Sequence, residues 1–88
     1  MLEIKRSATF KTGVKKIRDR KILDELKIVL TFLIDGEELP LKYQLHSLKG
    51  KFKDYRDCHI TPDTILLFRV VENTLYLYKI GNHNTLFK

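Results

Sequence analysis

The stretch Arg56–Phe68, RDCHITPDTILLF, places a histidine and two acids against the start of an apolar segment. From Thr64 to Val71 the residues are almost all apolar, which is typical of a central β-strand covered on both faces. The four residues Thr61–Thr64 carry proline and then aspartate at their centre, where a type I turn favours them. A strand, a tight turn and a second strand are therefore predicted around Pro62.

Two further stretches complete this part of the sheet. Lys51–His59 alternates imperfectly between polar and apolar residues, and Thr74–Ile80 is rich in tyrosine and leucine. Glu72 and Asn73 leave room only for a tight hairpin before the last strand. Because both connections are short, the three strands are predicted to form an antiparallel meander.

The first part of the chain predicts a short strand and a helix with a cationic face. Leu2–Lys5 alternates like a half-buried strand, and Ser7 or Thr9 can cap the helix that follows. The cationic face is either a contact for RNA or a partner protein, or simply a solvated surface. The apolar face is formed by Phe10, Val14 and Ile17, and the basic residues are Lys11, Lys15, Lys16, Arg18 and Arg20.

A second helix is predicted from apolar residues at helical spacing between Ile22 and Leu33. Gly36 follows as the glycine that is common just past a helix end. A loop, Leu41–Lys49, is predicted between this helix and the strands, and it contains His46. We therefore expect an α+β fold with two N-terminal helices packed on a small, mainly antiparallel sheet.

Composition limits the partners and the compartment. The chain has 88 residues and is 43% hydrophobic, so it can bury one modest core and is expected to be a single domain, residues 1–88. A net charge of +6 favours a polyanion such as nucleic acid, although basic charge also serves solubility. The single cysteine, Cys58, excludes an internal disulfide, and we find no secretory leader and no apolar run of membrane-spanning length. A cytoplasmic protein that does not enter a membrane is expected.

The predicted meander brings distant polar residues to one sheet edge. His59 ends the first strand and Asp63 lies in the following turn, so both lie at the same edge. The third strand returns to that edge, where His83 follows it. Period-two alternation also places Tyr55 and Asp57 on the face of His59. These imidazoles and carboxylates form a candidate acid–base site.

RNA cleavage by the 2′-hydroxyl suits such groups. The reaction needs a base for the hydroxyl proton, an acid for the departing 5′ oxygen and cations for the phosphoryl oxygens, but no metal. Histidine, with an ordinary pKa of about 6.5, can carry either proton, and Lys79, Arg56 or Lys53 can supply positive charge. Each histidine can equally be an ordinary surface residue. A zinc site of the same edge residues is a further alternative, but neither a closed Cys/His spacing nor an HExxH helix supports it, so no metal or cofactor is expected.

Three motifs, taken in order, resemble one family. They are H-x-L-x-G at 46–50, R-D-x-H-x-x-P-D at 56–63 and G-x-H-x-x-L-F at 81–87. Each is weak alone, but the series resembles the YafQ branch of the RelE-type toxins over nearly the whole chain. The resemblance implies a bacterial type II toxin–antitoxin system, a compact antiparallel sheet with two N-terminal helices, and endonucleolytic cleavage of mRNA, typically on the ribosome.

Carried over to this sequence, the resemblance implies four catalytic residues with Asp57 in support. It implies that His83 is the general acid. For the general base it favours His59 assisted by Asp63, with His46 positioning the substrate or sharing the proton work, and it leaves that choice open. The catalytic set is His46, His59, Asp63 and His83.

The resemblance also implies binding residues and a partner. Lys79 stands where the family often has a cationic residue and is the expected phosphate-stabilising group. Phe87 is expected either close to the substrate base or as an anchor in the core. Arg56 and Lys53 remain substrate-binding candidates. The cognate antitoxin is expected to be acidic and partly disordered, and to cover the basic face of the first helix, the His83 edge, or both.

Three positions depart from the family pattern. Leu45 stands before His46 where relatives often carry an acid, Phe68 replaces a frequent tyrosine, and Thr64 replaces a frequent aromatic residue. A codon preference therefore does not follow from the resemblance. Two other functions stay open on composition: a non-catalytic module that binds ribosomal or structured RNA, and an interaction domain whose cationic surface receives an acidic protein.

Overall fold

The computed structural model describes residues 1–86 as an α+β fold. Its strands are β1 (Glu3–Arg6), β2 (His46–Ser47), β3 (Arg56–Thr61), β4 (Thr64–Val71) and β5 (Thr74–Gly81). Its α-helices are α1 (Ala8–Lys15), α2 (Arg20–Ile34) and α3 (His83–Leu86). The strands form one sheet in the order β1-β5-β4-β3-β2. Within the described residues, no helix is long and apolar enough to span a membrane.

Strands β3, β4 and β5 form the predicted antiparallel meander. β4 occupies the predicted range, and tight turns precede and follow it. Glu72 takes a φ of 54° in the second turn, which lets two residues reverse the chain. β1 pairs in parallel with β5, so the sheet is mixed but mainly antiparallel.

Three details of the sequence prediction were wrong. β3 begins at Arg56 rather than at Lys51, because Gly50, with a φ of 69°, starts a 3₁₀ turn, Gly50–Phe52, that interrupts the alternation. The predicted loop before it contains a second 3₁₀ turn and the strand β2. β1 is exposed along its length rather than half-buried, because it lies at the edge of the sheet.

The helices pack on one face of the sheet and build the core. Ser7 caps α1: its hydroxyl accepts a hydrogen bond from the Phe10 N–H at 2.9 Å and donates one to the Tyr78 carbonyl, which ties the helix start to β5. Each leucine that this core buries fully stabilises the fold by about 1.5–3 kcal/mol. The core residues are Phe10, Leu26, Val29, Leu33, Tyr43, Cys58, Ile60, Leu66, Phe68, Leu75, Leu77 and Ile80.

The opposite face of the sheet, which we call the open face, carries a smaller apolar cluster. Ile65 and Leu67 point there from β4, because they alternate with core residues along the strand. Leu86 of α3 completes the buried part of this cluster, and Leu48 and Tyr78 pack against it. The open face therefore has a small apolar floor beside which polar side chains can lie.

Candidate active site

Two rows of paired residues bring the predicted site residues onto the open face. The register pairs His46 with Asp57, and Asp57 with Leu67. It also pairs His59 with Ile65. Since directly paired residues point to the same face, His46, Asp57 and His59 lie on the side of the small apolar cluster.

Asp57 and His46 form a hydrogen-bonding contact inside this group. The Nδ1 atom of His46 lies 3.2 Å from Oδ1 of Asp57, and the His46 ring meets the His59 ring edge-on at 5.9 Å between centroids. Asp57 is only 6% exposed, so its carboxylate is held in a fixed position. An ionised carboxylate only accepts hydrogen bonds, so Nδ1 of His46 donates, and Nε2 is left to accept a proton or contact a substrate.

Asp63 and His83 lie around one cavity with Asp57 and His59. A cavity of about 450 Å³ opens where β3 ends and β4 begins. We call it the histidine cavity. The structure thus brings His59, Asp63 and His83 together, as the meander predicted, while their chemical roles stay predictions. The cavity is lined by Leu48, Asp57, His59, Pro62, Asp63, Ile65 and His83.

One group of side chains at this site has the composition of a metal site. Donor atoms of His46, Asp57 and His59 all lie within 4.8 Å of one another. Two imidazoles and a carboxylate are a donor set that zinc accepts. The zinc site considered from the sequence consisted of His59, Asp63 and His83, so the two sets have only His59 in common. A metal at this position would occupy the nitrogens that an acid–base mechanism needs.

Cys58, between Asp57 and His59, does not belong to the site. Its side chain points to the helix side of the sheet and is buried in the core. Burial raises the pKa of the thiol to about 12, with a further contribution from the Asp57 carboxylate. Cys58 therefore stays protonated at neutral pH and serves packing rather than nucleophilic chemistry.

The cationic candidates lie outside the histidine cavity. Lys79 pairs with Leu67, which in turn pairs with Asp57, so the three residues form one row across the sheet. Lys79 nevertheless lines a neighbouring cavity between α1 and α3. Its ammonium lies 5.3 Å from the Tyr78 ring centroid. Arg56 lines a small depression beside Arg69. Lys53 is exposed directly after the 3₁₀ turn Gly50–Phe52. Within residues 1–86, no lysine or arginine lines the histidine cavity.

Phe87, which the sequence suggested as a base contact or core anchor, lies outside the described residues. The apolar residues that line the histidine cavity, Leu48, Pro62 and Ile65, were not predicted from the sequence as part of the site. The continuous apolar run of β4 concealed Ile65, because such a run does not reveal which residues lie beside a polar site. Pairing β4 against β3 from the Pro62 turn would have placed Ile65 next to His59.

A buried tyrosine braces the segment that leads to His46. The Tyr43 hydroxyl donates a hydrogen bond to the Glu25 carboxylate on α2, and the Lys42 ammonium lies 3.4 Å from the same carboxylate. The Tyr43 bond is the main cause that lowers the pKa of Glu25, with attraction to Lys42 adding and burial opposing. Burial, and then Glu25, raise the pKa of Tyr43. The brace therefore requires a neutral phenol and an ionised carboxylate.

Replacing Glu25 with glutamine should destabilise the protein at neutral pH, and the difference from the parent should shrink in acid. Because the pKa of Glu25 is lower in the folded state, its contribution is present above the unfolded value of about 4.3 and is lost as the pH falls through the folded value. Urea unfolding of both proteins at neutral pH and in acid measures this. Glu38→Gln, at an exposed position, is the control. A difference that stays constant down to acidic pH would contradict the brace.

Comparison with known proteins agrees with this fold. The model of the family described as "Bacterial toxin of type II toxin-antitoxin system, YafQ" matches residues 2–88. The chain is 36% identical over 87 residues to the mRNA interferase toxin YafQ of Escherichia coli strain K12, covering 97% of this chain and 95% of that protein. A chain of the E. coli DinJ–YafQ toxin–antitoxin complex matches with a TM-score of 0.88 at 34% identity, covering 99% of this chain and 98% of that chain.

A second solved structure from another organism matches as well. A metal-bound toxin from Helicobacter pylori matches with a TM-score of 0.85 at 39% identity, covering 99% of this chain and 100% of that chain. The family match spans nearly the whole sequence, and the matching structures share the fold from end to end. The chain therefore belongs to the YafQ family of bacterial toxins of type II toxin–antitoxin systems.

Proposed function

We propose that this toxin is an endoribonuclease that cleaves mRNA with the 2′-hydroxyl of the substrate as nucleophile. The observation that carries the proposal is the histidine cavity, where two histidines and two carboxylates from three parts of the chain surround a space of about 450 Å³. Such groups can remove one proton and deliver another at a single phosphate. Relatives named as mRNA interferases support the same reaction.

The proposed roles are those that the family resemblance implies, and His59, Asp63 and His83 all line the histidine cavity. His59, assisted by Asp63, takes the proton from the 2′-hydroxyl, whose oxygen then attacks the phosphorus. The bond from phosphorus to the 5′ oxygen breaks, and His83 gives that oxygen a proton. The products are a 2′,3′-cyclic phosphate and a 5′-hydroxyl end, so the atoms and protons balance without an added reactant.

His46 and Lys79 take supporting roles in this proposal. Asp57 orients His46 through Nδ1, so that its other nitrogen can contact the reacting nucleotide or share the proton transfer. Lys79 lies in the same paired row, lines the neighbouring cavity, and is the candidate for stabilising charge on the phosphoryl oxygens. Arg56 and Lys53 lie farther out and would contact flanking phosphates.

Cleavage should persist in excess EDTA when a minimal RNA substrate is used. The acid–base reaction needs no metal, because histidines carry both protons. The minimal substrate matters, since magnesium also holds ribosomes together. The proximity of His46, Asp57 and His59 makes this test necessary, because a metal bound there would work differently. Activity that EDTA abolishes and only zinc restores would overturn the acid–base assignment.

The proposed setting is translated mRNA in the bacterial cytoplasm, with the ribosome presenting the substrate. Induced expression should stop growth and introduce internal cuts into translated mRNA. A non-catalytic module that grips ribosomal RNA would also stop growth, but it would leave mRNA intact. Mapping of mRNA ends after induction therefore separates the two functions.

The proposed partner is an acidic antitoxin that covers the cationic side of α1. Lys11, Lys15 and Lys16 are exposed there, and Arg18 follows the helix end. Next to them lies a cavity of about 580 Å³ between α1, the end of β5 and α3, with Lys16 and Lys79 in its lining. An acidic segment with apolar side chains fits such a groove, because the lysines attract its charges.

Added salt should weaken antitoxin binding and slow association, since exposed charges are screened within about 10 Å at 0.1 M salt. The double variant Lys11→Gln/Lys15→Gln should reduce both the affinity and its salt dependence. Lys21→Gln/Lys27→Gln, on exposed positions of α2, is the matched control and should change neither. Titration of the antitoxin at several salt concentrations measures the effect. Equal behaviour of the two double variants would place the interface elsewhere.

A further inference from the structure

The open face carries a second polar feature away from the histidine cavity. Lys5 on β1 pairs with Tyr76 on β5, and Tyr76 pairs with Arg69 on β4, so the three form one row across the sheet. The Lys5 ammonium lies 5.9 Å from the Tyr76 ring centroid. A row in which cations alternate with an aromatic ring resembles the surfaces on which single-stranded nucleic acids stack.

Arg69 is held in place at the β4 end of this row. Its guanidinium carbon lies 5.1 Å from the Tyr76 ring centroid and 5.4 Å from the Tyr55 ring centroid. Its Nε atom is buried and has no hydrogen-bond partner within residues 1–86. The two rings, rather than a hydrogen bond at Nε within residues 1–86, therefore hold the guanidinium in place. A guanidinium oriented by two rings matches the phosphate groups and base edges of RNA.

The row continues to the histidine cavity without leaving the open face. Tyr55 lies against Tyr78, with ring centroids 5.1 Å apart. Tyr78 packs against the cluster that contains Leu48 and Ile65, and both of these residues line the histidine cavity. We call the connected set Lys5, Tyr55, Arg69, Tyr76 and Tyr78 the aromatic strip.

We propose that the aromatic strip binds single-stranded RNA next to the scissile phosphate, with bases on the tyrosine rings and phosphates on Arg69 and Lys5. The proposal rests on cleavage in the histidine cavity. Arg69 is four residues from Ile65 along β4, about 13 Å, so the strip holds nucleotides other than the one that is cut. A shallow depression of about 260 Å³ is lined by all five strip residues.

The cations that line the two depressions around the strip also favour RNA. The two depressions beside the strip are lined by four cationic residues and one acid. Aromatic stacking accepts any base, and cations follow the backbone, so the strip would add affinity without strong sequence preference. The four cations are Lys5, Arg6, Arg56 and Arg69, and the acid is Asp54.

The test measures binding of a labelled oligonucleotide of about 12 nucleotides, fully 2′-O-methylated so that it cannot be cleaved. Tyr76→Leu should weaken binding about 5- to 100-fold, because stacking of one base contributes that much. Arg69→Gln should weaken binding by a similar factor, because a hydrogen bond to a charged phosphate contributes about as much. Lys5→Gln should lower the salt dependence of binding. Lys5 is exposed, so this variant keeps its fold even if the others do not. Lys21→Gln/Lys27→Gln, on α2, should bind like the parent.

The strip and the cleavage activity can fail separately. If the parent does not cut RNA but Lys5→Gln and the folded strip variants lose oligonucleotide binding, the strip is a binding site and the proposed cleavage function is wrong. If the parent cuts RNA and these variants bind as the parent does, the strip proposal is wrong. Loss of antitoxin binding with intact RNA binding would make the strip a protein interface and would also overturn the proposal.

Cleavage of long RNA offers a second readout. The strip variants should raise KM for a long RNA, while their cleavage of a dinucleotide stays at the parental rate, because a dinucleotide cannot reach from the cavity to Arg69. Equal losses on both substrates would contradict a role in holding flanking nucleotides.

Discussion

Replacing His83 with alanine should lower the rate of RNA cleavage about 10²–10⁴-fold, which is the usual contribution of a general acid. His83 is exposed at the start of α3 and lines the histidine cavity, so its side chain contributes little to the core. Affinity for RNA should change only severalfold, because the loss falls on the chemical step. Single-turnover cleavage, a binding titration and circular dichroism, measured on the same preparations, test this.

Asn84→Ala is the matched control, because Asn84 is an exposed neighbour on α3. This variant should cut RNA at the parental rate and should still arrest growth, whereas His83→Ala should not arrest growth. A folded His83→Ala protein that cuts at the parental rate would end the assignment of His83 as the acid. Equal losses of binding and cleavage would indicate that His83 positions the substrate.

Replacing His59 with alanine should reduce cleavage by a similar factor, about 10²–10⁴-fold, if it is the general base. His59 lines the histidine cavity with Asp63, and its ring lies 5.9 Å from that of His46. The double variant His59→Ala/His83→Ala should lose less than the product of the two single losses, because both residues serve one step. The measurement is a double-mutant cycle on the single-turnover rate.

His46→Ala separates the two candidates for the general base. It should cost less than His59→Ala if His46 only positions the substrate. Thr61→Ala, at the end of the same strand as His59, is the control for changes in β3 and should cut at the parental rate. A severe loss with His46→Ala and a mild one with His59→Ala would transfer the role of base to His46, and fully multiplicative losses would contradict a shared step.

Local sequence patterns located most of the regular elements of this fold. β4 was predicted with its observed bounds, because its apolar run ends in turn residues on both sides. Ser7 was one of two predicted caps for the first helix, and it caps α1. Gly36 follows the end of α2 with a φ of 71°, which glycine adopts without strain. Periodicity, capping and turn chemistry act over a few residues, so a sequence shows them directly.

Pairings between distant segments were not predicted. β2 has two residues and exists as a strand because it pairs with β3. β1 was predicted as a short strand from its alternation, but its parallel pairing with β5, across most of the chain length, was not, because alternation does not identify a distant partner. A 3₁₀ turn, Gly50–Phe52, stands where the start of β3 was predicted. Gly50 begins this turn with a positive φ, and the imperfect alternation of the sequence did not reveal it.

The sequence by itself determined the antiparallel meander, and with it the meeting of His59, Asp63 and His83 at one edge, because short turns leave strands only one way to pair. Tertiary structure alone decided the contact of His46 with Asp57 and the place of Arg69 between Tyr55 and Tyr76. The first depends on the register of β2 against β3, and the second on the register of β4 and β5, whose pairing contains a β-bulge. A shift of one residue would turn these side chains to the other face. Turn geometry fixes the register next to each hairpin, but it does not reveal the extra residue that the bulge adds to β5, and no tight turn joins β2 to β3.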